Sequence, residues 1–237
     1  MNKKALVVLS IIFLMIEIVL YVLIFTTSGV ANSWISFSSI LLCFLYSLLL
    51  MSSNKNVVLT EVALFGTAMA DLFLVVIQPR HQLVAMIFFS ITQICYFLRI
   101  FLNSKSKKEK IVHLAVRGGI TALALITTAL VLKDKTDALS LISIFYFANL
   151  ILNVVFSFIQ IKQSILFPIG LLCFMICDIF VGLQCAIGVY INVPETNILY
   201  QIAFSPFNWA WLFYLPAQVL IVTSLLINNY KKKEMTT

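Results

Sequence analysis

Three carboxyl side chains, Glu17, Asp71 and Asp178, stand inside long apolar stretches of the sequence. Ionisable groups are expensive inside a bilayer, so each needs a partner, a water-filled cavity or a chemical task. Two carboxyls that share a low-dielectric cavity cannot both ionise cheaply, and such a pair divides into an acid and a base. This pattern favours general acid–base chemistry within a membrane.

Other polar side chains are predicted to reach the same depth as the three carboxyls. Counted at about 1.5 Å per residue from the proposed helix ends, Glu17, Asp71 and Asp178 fall in one layer. Spacings of three or four residues put further polar groups of this layer on single helix faces: Gln93 and Tyr96; Tyr146, Asn149 and Asn153; Tyr214 and Gln218. We expect a polar central cavity between them. Pro216 lacks an amide hydrogen, so it is expected to kink its helix and free a carbonyl toward that cavity.

The elements that must position these side chains are membrane-spanning helices. Hydrophobic residues make up 62% of the 237 residues and charged residues 11%, a balance that excludes an ordinary water-soluble domain. About 20 apolar residues cross the hydrocarbon as a helix, and stretches of that size are predicted at 5–25, 33–51, 57–77, 83–102, 111–132, 138–160, 166–191 and 207–227. The sequence therefore predicts an all-α polytopic bundle of about eight transmembrane helices, forming one domain over residues 1–237.

The basic residues predict which face of the membrane each helix end meets. Lys and Arg accumulate in cytoplasmic loops, and with both termini inside, the cytoplasmic side collects most of them, including the run from Lys105 to Lys110. We therefore expect both termini to be cytoplasmic, in a multi-pass protein of a bacterial cytoplasmic membrane. The net charge of +7 is explained by this topology, and no nucleic-acid partner is predicted. Arg117 is expected to extend its guanidinium to the cytoplasmic interface.

Metal and nucleophile chemistry finds little support in the sequence. The two histidines, His81 and His113, are assigned to opposite faces of the membrane, which argues against a His-rich metal centre or a buried Ser–His dyad. All five cysteines lie inside apolar stretches, where Cys behaves as a small hydrophobe. We expect no metal and no cofactor, so that any catalysis falls to carboxylates.

A short repeat accompanies the two aspartates. Residues 71–74 (Asp-Leu-Phe-Leu) resemble residues 178–181 (Asp-Ile-Phe-Val), four predicted helices later and in the same orientation. A parallel four-plus-four duplication would produce this match, and so would chance similarity between two apolar segments. Both explanations stay open at the level of the sequence.

Four motifs, in order along the predicted helices, carry a resemblance to a known family. They are Ala70-Asp71 in the third helix, Gln93 and Tyr96 in the fourth, Gly170, Phe174, Cys177 and Asp178 in the seventh, and Tyr214, Ala217 and Gln218 in the eighth. With this order and helix count, the chain resembles the YhhN-like lysoplasmalogenase family from about the second helix to the eighth. The family usually has Gly, His and Ser where this chain has Ala70, Gln93 and Cys177.

The resemblance implies an eight-helix hydrolase that acts on a membrane lipid. It would cleave the vinyl ether bond of lysoplasmalogens to a fatty aldehyde and glycerophosphoethanolamine or glycerophosphocholine. Asp71 and Asp178 would form the catalytic pair, with neither assigned as the acid. Water or substrate would be oriented by Glu17, Gln93, Tyr96, Asn149, Tyr214 and Gln218. Two alternatives stay open, a small proton- or cation-coupled transporter that uses the same carboxyl layer and a catalytically inactive relative that binds lipid; the oligomeric state is left open too.

Overall fold

Nine α-helices hold most of the residues that the structure, a computed structural model, describes, namely 3–52, 54–162, 164–187 and 189–234. They are α1 (Lys3–Thr26), α2 (Gly29–Leu49), α3 (Lys55–Asp71), α4 (Gln82–Leu102), α5 (Lys107–Leu132), α6 (Ala138–Ile159), α7 (Leu166–Ala186), α8 (Ile198–Ala203) and α9 (Trp209–Glu234). All but the short α8 are long and apolar enough to cross a membrane. The prediction of an all-α bundle with eight transmembrane helices is confirmed.

Local hydrogen bonding moves several helix ends away from their predicted positions. α5 begins at Lys107 instead of residue 111, because the Ser106 hydroxyl accepts from the Glu109 amide while the Glu109 carboxylate accepts from the Ser106 amide. α7 ends at Ala186 instead of residue 191, and the amide of Ile191 turns back to the Ala186 carbonyl. Both ends are set by local hydrogen bonds that hydropathy does not report.

α3 does not continue as a regular helix to residue 77, as the sequence predicted. It is α-helical to Asp71 and then winds as a π-helical turn over Leu72–Val76, with the Ile77 amide donating to the Leu72 carbonyl at 2.9 Å. A π-helical turn widens the helix, rotates the side chains beyond it and is frequent at functional sites. The irregularity therefore begins directly after one of the two aspartates.

The transmembrane helices pack in two similar sets of four. The first set is α1 to α4, and the second is α5, α6, α7 and α9. In the first set α2 packs against α3 and α3 against α4, and in the second α6 packs against α7 and α7 against α9. Between the sets, α4 packs against α6 and α9 against α2. α1 and α5 lie at the periphery and leave most of their residues exposed. This packing order is the one that a parallel four-plus-four duplication would give.

Pro216 lies inside α9 and changes the hydrogen bonding one turn before it. Without an amide hydrogen, Pro216 cannot donate to the Leu212 carbonyl. That carbonyl accepts instead from the Tyr21 hydroxyl of α1 at 3.1 Å. The freed carbonyl is present as predicted, but it bonds to a side chain of α1. This hydrogen bond links the peripheral helix α1 to α9.

Two glycines let the aspartate-bearing helices approach their neighbours closely. A Cβ on Gly66 of α3 would lie 2.7 Å from the Thr92 hydroxyl of α4. A Cβ on Gly170 of α7 would lie 2.8 Å from the Ile221 side chain and 3.0 Å from the Ala217 carbonyl of α9. Small residues at a membrane helix interface allow contact of this kind. The two glycines therefore fix α3 against α4 and α7 against α9.

We expect Gly170→Ala to lower the thermal unfolding midpoint of the protein in detergent, because the added methyl group meets the backbone of α9. Overpacking of this kind costs about 1–3 kcal/mol. Gly182→Ala in the same helix is the matched control, since nothing lies within 4 Å of its added Cβ and alanine favours the helix by up to about 1 kcal/mol. Equal midpoints for the two variants would contradict the close α7–α9 contact.

Candidate functional site

Both aspartates are hydrogen-bonded to tyrosines on other helices. Tyr214 of α9 donates its hydroxyl to Oδ2 of Asp71 on α3 at 2.7 Å. Tyr146 of α6 donates its hydroxyl to Oδ2 of Asp178 on α7. The two carboxyls lie close enough for their charges to interact. These four residues, here named the aspartate–tyrosine cluster, join α3, α6, α7 and α9.

Phenylalanine rings connect the two aspartate–tyrosine pairs. The Tyr146 ring lies 5.6 Å from that of Phe89 on α4, Phe89 lies 6.0 Å from Phe174 on α7, and Phe174 lies 5.4 Å from Tyr214, between ring centroids. Aromatic rings at such separations pack favourably and hold one another's orientation. The cluster therefore has an apolar wall of ring faces and edges that fixes both phenol groups.

The two aspartates differ in exposure. Asp71 is buried, with 2% of its surface exposed, and directly precedes the π-helical turn of α3. Asp178 is partly exposed although it lies well inside a transmembrane helix, directly after the buried Cys177. A carboxyl at such a depth is costly unless it has a partner or a task. Of the two aspartates, Asp178 is the more accessible residue.

Only some of the predicted site residues meet at the cluster. Tyr214 contacts Asp71 directly. Glu17, which the sequence places at the same depth, lies between α1 and α2, where its Oε1 accepts from the Cys43 thiol at 3.5 Å. Within the described part of the chain, no hydrogen bond or charge interaction joins Glu17 to Asp71 or Asp178. The structure therefore places Glu17 apart from the cluster.

Asn149 belongs to a different polar network, which is built around Arg117. The Arg117 guanidinium donates to Asn149 Oδ1 at 2.6 Å and to Asn153 Oδ1 at 2.7 Å, and it covers the Phe97 ring at 4.2 Å. Asn153 in turn donates to the backbone and side-chain oxygens of Gln93, both at 2.9 Å. The prediction that Arg117 extends to the membrane interface is wrong, because the two asparagines bind both terminal nitrogens of the guanidinium inside the bundle.

Four predicted site residues carry buried polar atoms that have no partner among the described residues. These atoms are Glu17 Oε2, Gln93 Nε2, Tyr96 Oη and both side-chain amide atoms of Gln218. Gln218 is one turn from Tyr214 of the cluster on α9, about 6 Å along the helix, and Gln93 is one turn from Phe89 of the aromatic wall on α4. Buried polar groups of this kind normally bind ordered water.

The pockets formed by described residues include two that lie away from the aspartates. One has a volume of about 350 Å³ and is lined by residues that follow α7 in the chain: Ile187, Asn192, Val193, Pro194 and Tyr200. The other is a small pocket beside Arg99 at the opposite end of the bundle. Neither is lined by Asp71 or Asp178, so the central cavity stays a prediction. Within the described ranges, no three His, Cys, Asp or Glu side chains cluster closely enough to bind a metal ion.

The structure adds two residues whose importance the sequence analysis missed. Tyr146 stands in the predicted polar layer, but no motif gives it a role, and only its bond to Asp178 does so. Arg117 is the middle member of a buried face of α5, with His113 and Thr121 four residues to either side. That spacing on an otherwise lipid-facing helix was the available signal that Arg117 points inward.

Comparison with known proteins identifies the chain at the level of a family. The model of the YhhN family matches residues 31–225, which extend from α2 into α9 and contain the whole aspartate–tyrosine cluster. Searches of curated proteins and of solved structures find no match.

We expect Asn153→Leu to lower the thermal unfolding midpoint in detergent, because it leaves one arm of the buried Arg117 guanidinium without a partner. An unsatisfied buried group of this kind costs roughly 2–5 kcal/mol. Thr121→Val on the same helix as Arg117 is the control, since the Thr121 hydroxyl is buried without a partner among the described residues and its loss should leave the midpoint unchanged or higher. If both variants unfold at the same temperature, the Arg117 network does not support the bundle.

Proposed function

Because the chain belongs to the YhhN family, we propose that it is a membrane-embedded hydrolase that cleaves the vinyl ether bond of lysoplasmalogens. The products are a fatty aldehyde and glycerophosphoethanolamine or glycerophosphocholine. The observation that supports this proposal is the aspartate–tyrosine cluster, in which two carboxyls lie within interaction range and each is held by a phenol. A bundle of transmembrane helices is also suited to a substrate that resides in the bilayer.

Vinyl ether hydrolysis needs a proton donor and a base that activates water. The donor protonates the alkenyl carbon that is not bonded to oxygen, which gives an oxocarbenium ion. Water adds to the carbon next to the ether oxygen while its proton passes to the base. The resulting hemiacetal collapses to the aldehyde and the glycerol hydroxyl, so that one water is consumed and the two carboxyls regain their starting protonation after proton exchange.

In this proposal Asp178 is the proton donor and Asp71 activates the water. Asp178 is the more accessible of the two residues, which suits the group that meets the lipid, whereas Asp71 is buried. The unpartnered amide of Gln218 lies one turn from the tyrosine that bonds Asp71. Together with Gln93 and Tyr96, whose side chains also have unpartnered buried atoms, it would bind and orient the water.

The aromatic wall of the cluster suits a positively charged intermediate. A cation is attracted to the face of an aromatic ring by about 0.5–2 kcal/mol. The Phe89 and Phe174 rings connect the two aspartate–tyrosine pairs, so an oxocarbenium ion formed between the carboxyls would lie near them. This attraction acts on the ion and not on the neutral substrate, and it therefore contributes to the rate.

A transporter that uses the same carboxyls is less well supported. Alternating-access folds often place broken helices at corresponding positions of two repeats. The irregularities here are the π-helical turn that follows α3 and Pro216 in α9. In the two sets of four helices, α3 corresponds to α7 and α9 corresponds to α4, so these irregularities do not form a corresponding pair.

We expect Asp71→Asn and Asp178→Asn each to lower aldehyde release from a lysoplasmalogen by about 10²–10⁴-fold, because each removes one group of the acid–base pair. The assay uses the purified protein in detergent and follows the aldehyde directly. Unfolding midpoints of parent and variants show whether each protein is folded.

Glu61→Gln is the control for these two substitutions. Glu61 is a buried carboxyl on α3, as Asp71 is, but it has no hydrogen bond to the cluster, so its variant should keep the parent rate. A folded parent that releases no aldehyde would refute the hydrolase, and proton-coupled uptake into liposomes would then favour the transporter. Undiminished release from both aspartate variants would refute the residue assignment alone.

We expect Gln218→Met to make the protein more stable and less active. Burial of an amide without a protein partner costs about 1–3 kcal/mol, which an apolar side chain of similar size avoids. Loss of a group that orients the water should at the same time slow aldehyde release by about tenfold or more. Gln184→Met is the contrast, because the Gln184 amide donates to the Ala203 carbonyl at 2.6 Å and its loss should destabilise. A stabilised variant with the parent's rate would exclude Gln218 from binding the water.

A further inference from the structure

We propose that one end of the bundle carries a binding site for a phosphate group, built around Arg99 and separate from the aspartate–tyrosine cluster. This basic end is where α4 and α6 finish and where α3, α5 and α7 begin, and it carries Lys55, the run Lys105 to Lys110, and Lys162. The ligand is a phosphate group, either as the monoester or diester of a lipid headgroup or as free inorganic phosphate.

Arg99 is a buried arginine that neutral groups alone hold in place. It is 3% exposed, and its guanidinium donates to the Thr60 hydroxyl at 2.8 Å and the Ser224 hydroxyl at 3.1 Å, and lies 3.7 Å above the Phe167 ring. A guanidinium has five N–H donors, so three are left. Among the described residues no carboxylate bonds to it, not even Glu61, which follows Thr60 on α3. The positive charge of Arg99 therefore has no protein counter-ion in the described chain.

A small pocket opens beside this guanidinium. Arg99 lines it together with the polar side chains of Asn103, Ser157, Gln160 and Ser164. The Ser164 hydroxyl is buried and has no partner among the described residues. The pocket volume of about 20 Å³ has room for one or two oxygen atoms. A phosphate would insert its non-bridging oxygens there and leave its ester substituents outside.

The N-terminus of α7 lies at the same pocket. Ser164, Phe167 and Pro168 contribute to the lining, and Ile165, the residue that precedes the helix, provides no side-chain cap. The first amides of a helix point outward from its N-terminus and attract anions. Pro168 has no amide hydrogen, which leaves Leu166 and Phe167 as the donors of this turn.

The donor set and its position favour phosphate over other anions. A guanidinium binds two oxygens of one phosphate through parallel hydrogen bonds, and the hydroxyl and helix amides add donors from another side. Arg99 is three residues from the end of α4, about 4.5 Å along the helix, which is near the headgroup layer of a bilayer. The lysines of the basic end attract anionic headgroups to this face.

This phosphate is not the one in a substrate that is being cleaved at the aspartates. Thr60, which bonds Arg99, precedes Asp71 by eleven residues on α3, a distance of about 16 Å along the helix. The three-carbon backbone of a glycerolipid cannot span that distance between its vinyl ether and its phosphate. The site therefore binds a second molecule, and the proposal does not depend on the hydrolase activity.

The test measures the thermal unfolding midpoint of the full chain in an uncharged detergent as a phosphate probe is added. One arm uses dihexanoyl phosphatidic acid, a second uses inorganic phosphate, and a third uses hexanoate as a carboxylate anion, all at matched ionic strength. We expect a saturable rise with a phosphate probe and none with hexanoate. A rise with the lipid alone identifies a headgroup site, and a rise with inorganic phosphate alone identifies a site for the free ion.

Variants assign the rise to this pocket. Ser164→Ala and Arg99→Lys should each weaken binding by about tenfold or more, because each removes hydrogen bonds to the anion. Ser36→Ala is the matched control, since Ser36 is also a buried serine whose hydroxyl has no partner among the described residues, and it does not line the pocket. Ser164→Ala removes no hydrogen bond to a described residue, so the test stands even if Arg99→Lys fails to fold. The proposal would be overturned if neither phosphate probe raised the unfolding midpoint in a saturable way. Equal binding by the parent and Ser164→Ala would also overturn it.

Discussion

An unpaired polar group in hydrocarbon raises the free energy of the fold by more than almost any single apolar contact lowers it. This cost determines how the helices of the bundle are joined. Several deeply placed ionisable side chains reach a neighbouring helix: Asp71 bonds to α9, Asp178 and Arg117 bond to α6, and Arg99 bonds to α3 and α9. Apolar packing in a membrane leaves helices freer to slide and rotate. These bonds fix depth and rotation together, and the glycine contacts then set the lateral spacing.

Depth along the membrane normal could be predicted from the sequence, because it follows from counting residues within each apolar stretch. The eight spans were obtained in this way, and so was the placement of Asp71 and Asp178 in one polar layer with Tyr214. Rotation about each helix axis could not be predicted in the same way. Glu17 has a suitable depth, yet it faces Cys43, and nothing in its own segment distinguishes that direction from one toward the aspartates.

The other differences between sequence and structure arise where a partner on a distant segment decides the outcome. An arginine in the position of Arg117 is long enough to reach either the interface or the interior, and the two asparagines on α6 decide between them. The π-helical turn that follows Asp71 has no recognisable sequence signal, because its residues are all apolar. Similarly, the carbonyl that Pro216 releases was predictable from local stereochemistry, but its acceptance of the Tyr21 hydroxyl was not.

The two sets of four helices carry their aspartates on corresponding helices, α3 and α7, yet the aspartates take different partners. Asp71 bonds across to the other set, whereas Asp178 bonds within its own. In a homodimer of a four-helix protein, twofold symmetry would force the two carboxyls to be identical in surroundings and in affinity for protons. A single polypeptide with two unlike halves has no such restriction. Mutations can then change the surroundings of each aspartate independently, so that selection can give the two side chains different roles.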